Sequence, residues 1–143
     1  MRKFWEATII LGLLCFVCLF NNAGAKAQTI YFGVQSIALK SGESAELGDV
    51  YYISHECRSL LKAAPQVEIL DGPPGITAAI KEGPIVPRTY GCTKPVPGGK
   101  LILTANEIEE YGRARMVLRI KLKTSQGDRQ ASRNVDLSLI PRQ

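Results

Sequence analysis

The stretch Ala114-Arg115-Met116-Val117-Leu118-Arg119-Ile120-Lys121-Leu122-Lys123 is followed by Ser125-Gln126-Gly127-Asp128 and then by Asn134-Val135-Asp136-Leu137-Ser138-Leu139. The first run places Ala114, Met116, Leu118, Ile120 and Leu122 at even positions, and the last places Val135, Leu137 and Leu139 at odd ones. A period of two is the mark of a half-buried β-strand, because successive side chains point to opposite faces. An even-length loop between two strands makes paired residue numbers add to an odd constant. Leu118 and Leu122 then oppose odd-numbered partners such as Leu137 and Arg133, and both apolar sides face the same way. The pattern predicts a hairpin, with Arg133 as its exception near the open end.

Working outward, the remaining runs are short and separated by turn residues. Ile30, Phe32 and Val34 alternate on one parity and Ile37 and Leu39 on the other, which reads as a strand bent or bulged near Gly33. Ser41-Gly42-Glu43-Ser44 is a turn, and residues 45–53 return as a strand with a second bulge at Gly48-Asp49. Residues 54–64 are the one helical stretch: Ser54 caps it, Leu60, Leu61 and Ala64 share a face, and Pro65 ends it. Strands follow at 67–70 and 76–80, with Asp71-Gly72-Pro73-Pro74-Gly75 between them and Gly83-Pro84 as a break. Residues 86–92 read as an extended edge because of Pro87. Pro95-Val96-Pro97-Gly98-Gly99 reads as a turn, 100–105 as a strand, and 106–112 as an acidic loop. Six to eight such runs with one short helix predict an all-β, immunoglobulin-like antiparallel β-sandwich, since a parallel α/β sheet needs crossover helices.

The first residues belong to a different kind of segment. Arg2 and Lys3 precede an apolar run over 7–20, and Ala25-Lys26-Ala27 supplies small residues at its exit. This is the pattern of a cleaved signal peptide, shorter than the roughly 20 residues of a membrane span. The expected division is 1–27 as signal peptide and 28–143 as the sandwich domain, with no permanent membrane span and a periplasmic or extracellular destination. Cys15 follows Leu14 and Cys18 follows Val17, which does not suit lipid attachment. The full chain of 143 residues has a formal net charge of +5. Losing Arg2, Lys3, Lys26 and Glu6 lowers it to +3, weak grounds for a polyanionic partner.

Cleavage leaves two cysteines, Cys57 and Cys92, and an exported pair predicts a disulfide. The alternative set, His55 with Cys57 and Cys92 as a soft metal site, is thin: three ligands, one histidine in the chain and no CxxC. Arg115, Arg119, Lys121 and Lys123 form a basic row on one strand face, with Arg113 just before it. Spaced about 7 Å apart, they suit an anionic envelope polymer, a lipid surface or a nucleic acid. The row has no aromatic residue, which disfavours single-stranded nucleic acid. A solvated face that discourages edge aggregation is the blander and preferred reading.

The stretches Ala45-Glu46-Leu47-Gly48-Asp49-Val50, Cys57-Arg58-Ser59-Leu60 and Val67-Glu68-Ile69-Leu70-Asp71-Gly72-Pro73-Pro74 resemble small exported bacterial proteins of unknown function. So does Cys92-Thr93-Lys94-Pro95-Val96-Pro97-Gly98-Gly99 with the following hairpin. That resemblance implies an exported sandwich domain and carries no catalytic residue with it. The chain has no G-x-S-x-G, P-loop or G-x-G-x-x-G pattern. The expectation is a non-enzymatic interaction or structural module, without cofactor, whose partner is an envelope protein or anionic envelope polymer. A small hydrolase or metal-binding protein centred on His55 and Cys57 is the alternative.

Overall fold

Alternation becomes burial in the C-terminal hairpin. A computed structural model describes residues 28–31 and 36–143 of the chain, so the expected signal peptide and the bend at Gly33 lie outside the described residues. Strands β7 (Gly112–Thr124) and β8 (Gly127–Ile140) pair antiparallel, with Ala114 opposite Leu137 and Leu118 opposite Arg133. Met116, Leu118, Ile120, Leu122, Val135 and Leu137 are buried. Arg133 departs from the expectation: it sits midway along the ladder and is exposed. On that face of β8 burial begins only at Val135, so the arginine needs no open end to reach solvent.

The other strands are β1 (Gln28–Tyr31), β2 (Ser36–Lys40), β3 (Ser44–Ile53), β4 (Gln66–Asp71), β5 (Ile76–Ile85) and β6 (Val96–Ala105). They form two four-stranded sheets, ordered β1-β3-β6-β5 and β2-β8-β7-β4. Leu47, Val50, Leu101 and Leu103 of the first sheet share one core with Leu39, Met116, Leu118 and Leu137 of the second. This is a β-sandwich, and no helix occurs among the described residues. The parity change noticed between Val34 and Ile37 accompanies a change of sheet: β1 pairs with β3, and β2 pairs with β8. That second pairing is parallel, which corrects the expectation of a purely antiparallel fold. The bulge expected at Gly48-Asp49 is present as a register shift between Glu46 and Gly48.

Three local expectations fail for reasons of tertiary contact. Residues 54–64 are not helical. Ser54 N–H donates to the Arg58 carbonyl at 2.9 Å, and Cys57 N–H donates to the Ser54 carbonyl at 3.1 Å. Ser59 then bridges to Ile53 and Leu61 to Thr124. Leu60 N–H donates to Tyr52 in one sheet, while Lys62 N–H donates to Lys123 in the other. A helix of so few residues is marginal alone, and these cross-sheet bonds take its donors. Residues 86–95 form a loop rather than an extended edge, with Cys92 N–H donating to the Thr89 carbonyl at 3.1 Å. The expected break at Gly83-Pro84 and residues 96–99 of the expected 95–99 turn are instead strand, with Gly83 opposite Gly98 and Pro84 opposite Pro97. Pro84 lies on an edge strand, and Pro97 lies beyond the last β3 partner of β6, the Val50–Gly99 pair. Neither missing N–H is needed for a ladder.

Candidate functional site

Val50-Tyr51-Tyr52-Ile53 is buried on both faces of the sheet, which explains why this run does not alternate. Val50 and Tyr52 enter the inter-sheet core. Tyr51 and Ile53 join a second core with Ile85, Cys92 and Val96, against which Cys57 packs. Cys57 and Cys92 bring the loops 54–65 and 86–95 against it. The expected disulfide is present: Cys57 and Cys92 are joined, their Cα atoms 5.7 Å apart. The hydroxyls of Tyr51 and Thr89 share a hydrogen bond of 3.1 Å that ties the second loop down.

Two residues before each cysteine stand His55 and Tyr90, and the disulfide brings them together. Their ring centroids are 4.2 Å apart with planes tilted by 41°. Cys57 at φ 61° and Tyr90 at φ 55° are the two non-glycine residues with positive φ among the described residues. For a side-chain-bearing residue this left-handed conformation costs about 1–2 kcal/mol, and such positions concentrate at ligand-contacting sites. Tyr90 nonetheless keeps part of its ring at the surface, 36% exposed. An open cleft of about 460 Å³ runs beside the second loop, lined by Asp49, Ile85, Arg88, Cys92 and Lys100 among others.

Charge is concentrated at the same place. The two loops carry Arg58, Lys62, Arg88 and Lys94, all exposed, against Glu56 alone, a net +3. The remaining charges of 28–143 balance, eleven against eleven, so the two loops hold the whole excess. The Glu56 carboxyl is held below the usual carboxylate range, first by the Ser54 hydroxyl, then by its own backbone amide, with Arg58 and His55 adding. Loops that carry an exposed aromatic pair together with four cations suit an anionic surface, the charge drawing it in and the rings adding contact area.

The basic row expected from the sequence lies on the outer face of the other sheet. There the register interleaves it with carboxylates. Arg115 Nε is 3.0 Å from Asp136 Oδ1, and Lys121 Nζ is 2.6 Å from Glu68 Oε2. Arg119 faces Glu68 across β4, and Lys123 faces Asp128 across β8. A mixed-sign face offers a polyanion less than the bare row suggested. The Lys121 hydrogen bond and charge, with Arg119 adding, hold the Glu68 carboxyl below its usual range. A depressed carboxylate supports the fold above its unfolded pKa and stops doing so as pH falls through the lower, folded value. We expect the Glu68 carboxyl, followed by carbon NMR, to titrate below an ordinary glutamate and to return to the normal range in Lys121→Gln. An unchanged midpoint in that variant would discount the pair.

For His55, Cys57 and Cys92 as metal ligands, the oxidised pair removes both thiolates and leaves one imidazole, itself stacked on Tyr90. Among the described residues no group of three metal-binding side chains occurs. Sequence reasoning did not single out Tyr90, Arg58, Arg88, Lys62 or Lys94. The signal was the disulfide itself, because pairing 57 with 92 also pairs their neighbours. No family model matches this sequence, and no curated protein resembles it.

Proposed function

We propose that this chain is an exported, immunoglobulin-like interaction module without enzymatic activity, which binds its partner through the disulfide-joined loop end. Taken in chain order, β1-β3-β6-β5 and β2-β8-β7-β4 correspond to the A-B-E-D and C-F-G sheets of the immunoglobulin sandwich, with β2 as an added strand beside G. In that scheme 54–65, 86–95 and the β7–β8 turn lie at one end, where such sandwiches place binding loops. The bridge here joins two loops instead of the B and F strands. Export is supported by the leader-like residues 1–27 and by the disulfide, and no helix among the described residues is long and apolar enough to cross a membrane.

The observation that carries the reading is Tyr90, held in a left-handed conformation with its ring at the surface against His55. A residue retained there for binding should be dispensable for folding. Glycine accepts positive φ freely, so Tyr90→Gly is expected to change stability by less than about 1 kcal/mol. The same variant should retain at least tenfold less of a bacterial envelope component in cross-linked capture with the purified protein. Equal retention by parent and variant would overturn the assignment of the loop end, and a large loss of stability would make Tyr90 a structural residue.

A further inference from the structure

The opposite end of the sandwich is closed by 41–43, 72–75 and 106–111. Gly42 N–H donates to the Ala105 carbonyl and Asn106 N–H to the Gly75 carbonyl, each at 2.7 Å. Ile108 N–H donates to Ser41 Oγ at 3.1 Å. These segments carry Glu43, Glu107, Glu109 and Glu110, all exposed, and no lysine or arginine. Lys40, Asp71 and Arg113 border these segments in the chain and Arg142 reaches Gly42, which leaves the end at a net −2. Tyr111, 66% exposed, stands among these carboxylates. Each end thus presents a tyrosine amid charge of mixed sign but opposite net sign, basic at the Tyr90 end and acidic at the Tyr111 end.

We propose that copies of this chain associate head to tail, the basic Tyr90 end of one docking on the acidic Tyr111 end of the next. The proposal rests on the loop end being a binding surface and names its occupant as a second copy. Neutralisation within one molecule is not available: ten-residue strands hold the two ends about 30 Å apart, several times the roughly 8 Å Debye length at physiological ionic strength. The Glu56 carboxylate is close enough to Arg58 to feel its charge. Yet Arg58, Lys62, Arg88, Lys94, Glu107, Glu109 and Glu110 form no direct ion pair among the described residues, so most of this charge is left for a partner. Tyrosine and arginine are also the residues that interfaces favour. Because the two patches differ, the contact is heterologous and repeats, giving an open chain or a ring rather than a closed pair.

Sedimentation velocity on the protein expressed with its own N-terminal segment tests this. At 10 mM salt, where screening extends over about 30 Å, the average sedimentation coefficient should rise with protein concentration. At 1 M salt, where it extends over about 3 Å, the protein should be monomeric. The triple variant Glu107→Gln, Glu109→Gln, Glu110→Gln should associate at least tenfold more weakly, and so should Arg58→Gln, Arg88→Gln, Lys94→Gln. Each variant keeps one working end, so their equimolar mixture should form a dimer and stop. Concentration-independent monomer at low salt would overturn the proposal, as would association that salt or either triple variant leaves unchanged. Capture of an envelope component that depends on Tyr90, together with a strictly monomeric protein, would sink self-association and leave the loop end as a binding surface.

Discussion

Replacing Cys57 and Cys92 together by alanine is expected to lower the unfolding free energy by about 4 kcal/mol. The value is read by extrapolating urea unfolding to water with each protein's own slope, which should rise as the unfolded chain expands. The two cysteines lie 35 residues apart in sequence, and closing a loop of that size removes this much chain entropy from the unfolded state. A domain of this size has about 5–15 kcal/mol in all, so the variant would be marginal at growth temperature. The loss should also be local in character. The disulfide clamps both loops against the second core, so amides at Tyr51, Ile53 and Val96 should lose hydrogen-exchange protection before those at Leu118 and Leu137. A loss under about 1 kcal/mol would mean that the loops hold without the bond. Uniform loss of protection would mean that the second core is not a separate unit.

The second large effect is expected at a residue whose neighbours alone decide its identity. A Cβ added at Gly98 would lie 2.5 Å from the Val50 carbonyl oxygen and 3.1 Å from Ile85 Cγ1. A backbone oxygen cannot swing aside as a side-chain tip can, so Gly98→Ala should cost about 2–3 kcal/mol by overpacking. Its cross-strand partner supplies the control. Gly83 pairs with Gly98, yet a Cβ there meets nothing within 4 Å. Gly83→Ala should stay within about 0.5 kcal/mol of the parent. Chemical denaturation of the two variants checks both, and equal costs would show that the close approach of β3 to β6 does not constrain Gly98.

Gly98 also shows why some of the fold could not be read in advance. In the sequence Pro95-Val96-Pro97-Gly98-Gly99 has the composition of a turn, and local rules read it as one. Its true role depends on β3 crossing close by, a contact between residues about fifty positions apart. The helix expected over 54–64 failed in the same way. Its caps and apolar spacing were genuine local preferences, outweighed by bridges from Ser59 to Ile53 and from Leu61 to Thr124. Ion pairing was hidden too, since Glu68 meets Lys121 only once β4 has found its register on β7.

What the sequence determined by itself was whatever depends on near neighbours or on a count with one solution. Alternation over 114–122 and 135–139 specified the hairpin and its facing, because side-chain period and strand period are both two. Two cysteines after position 27 admitted a single pairing, and that pairing is present. The tertiary structure decided what depends on distance through the sheets. It set which strands are edges, and so where Pro84 is harmless. It also made Val50 to Ile53 a doubly buried run and set His55 against Tyr90 within a net +3 surface. The physical reason is common to all of these. Local preferences are worth tenths of a kcal/mol to about 1 kcal/mol per residue, while burial of one large side chain is worth about 1.5–3 kcal/mol and is settled only when the sheets meet.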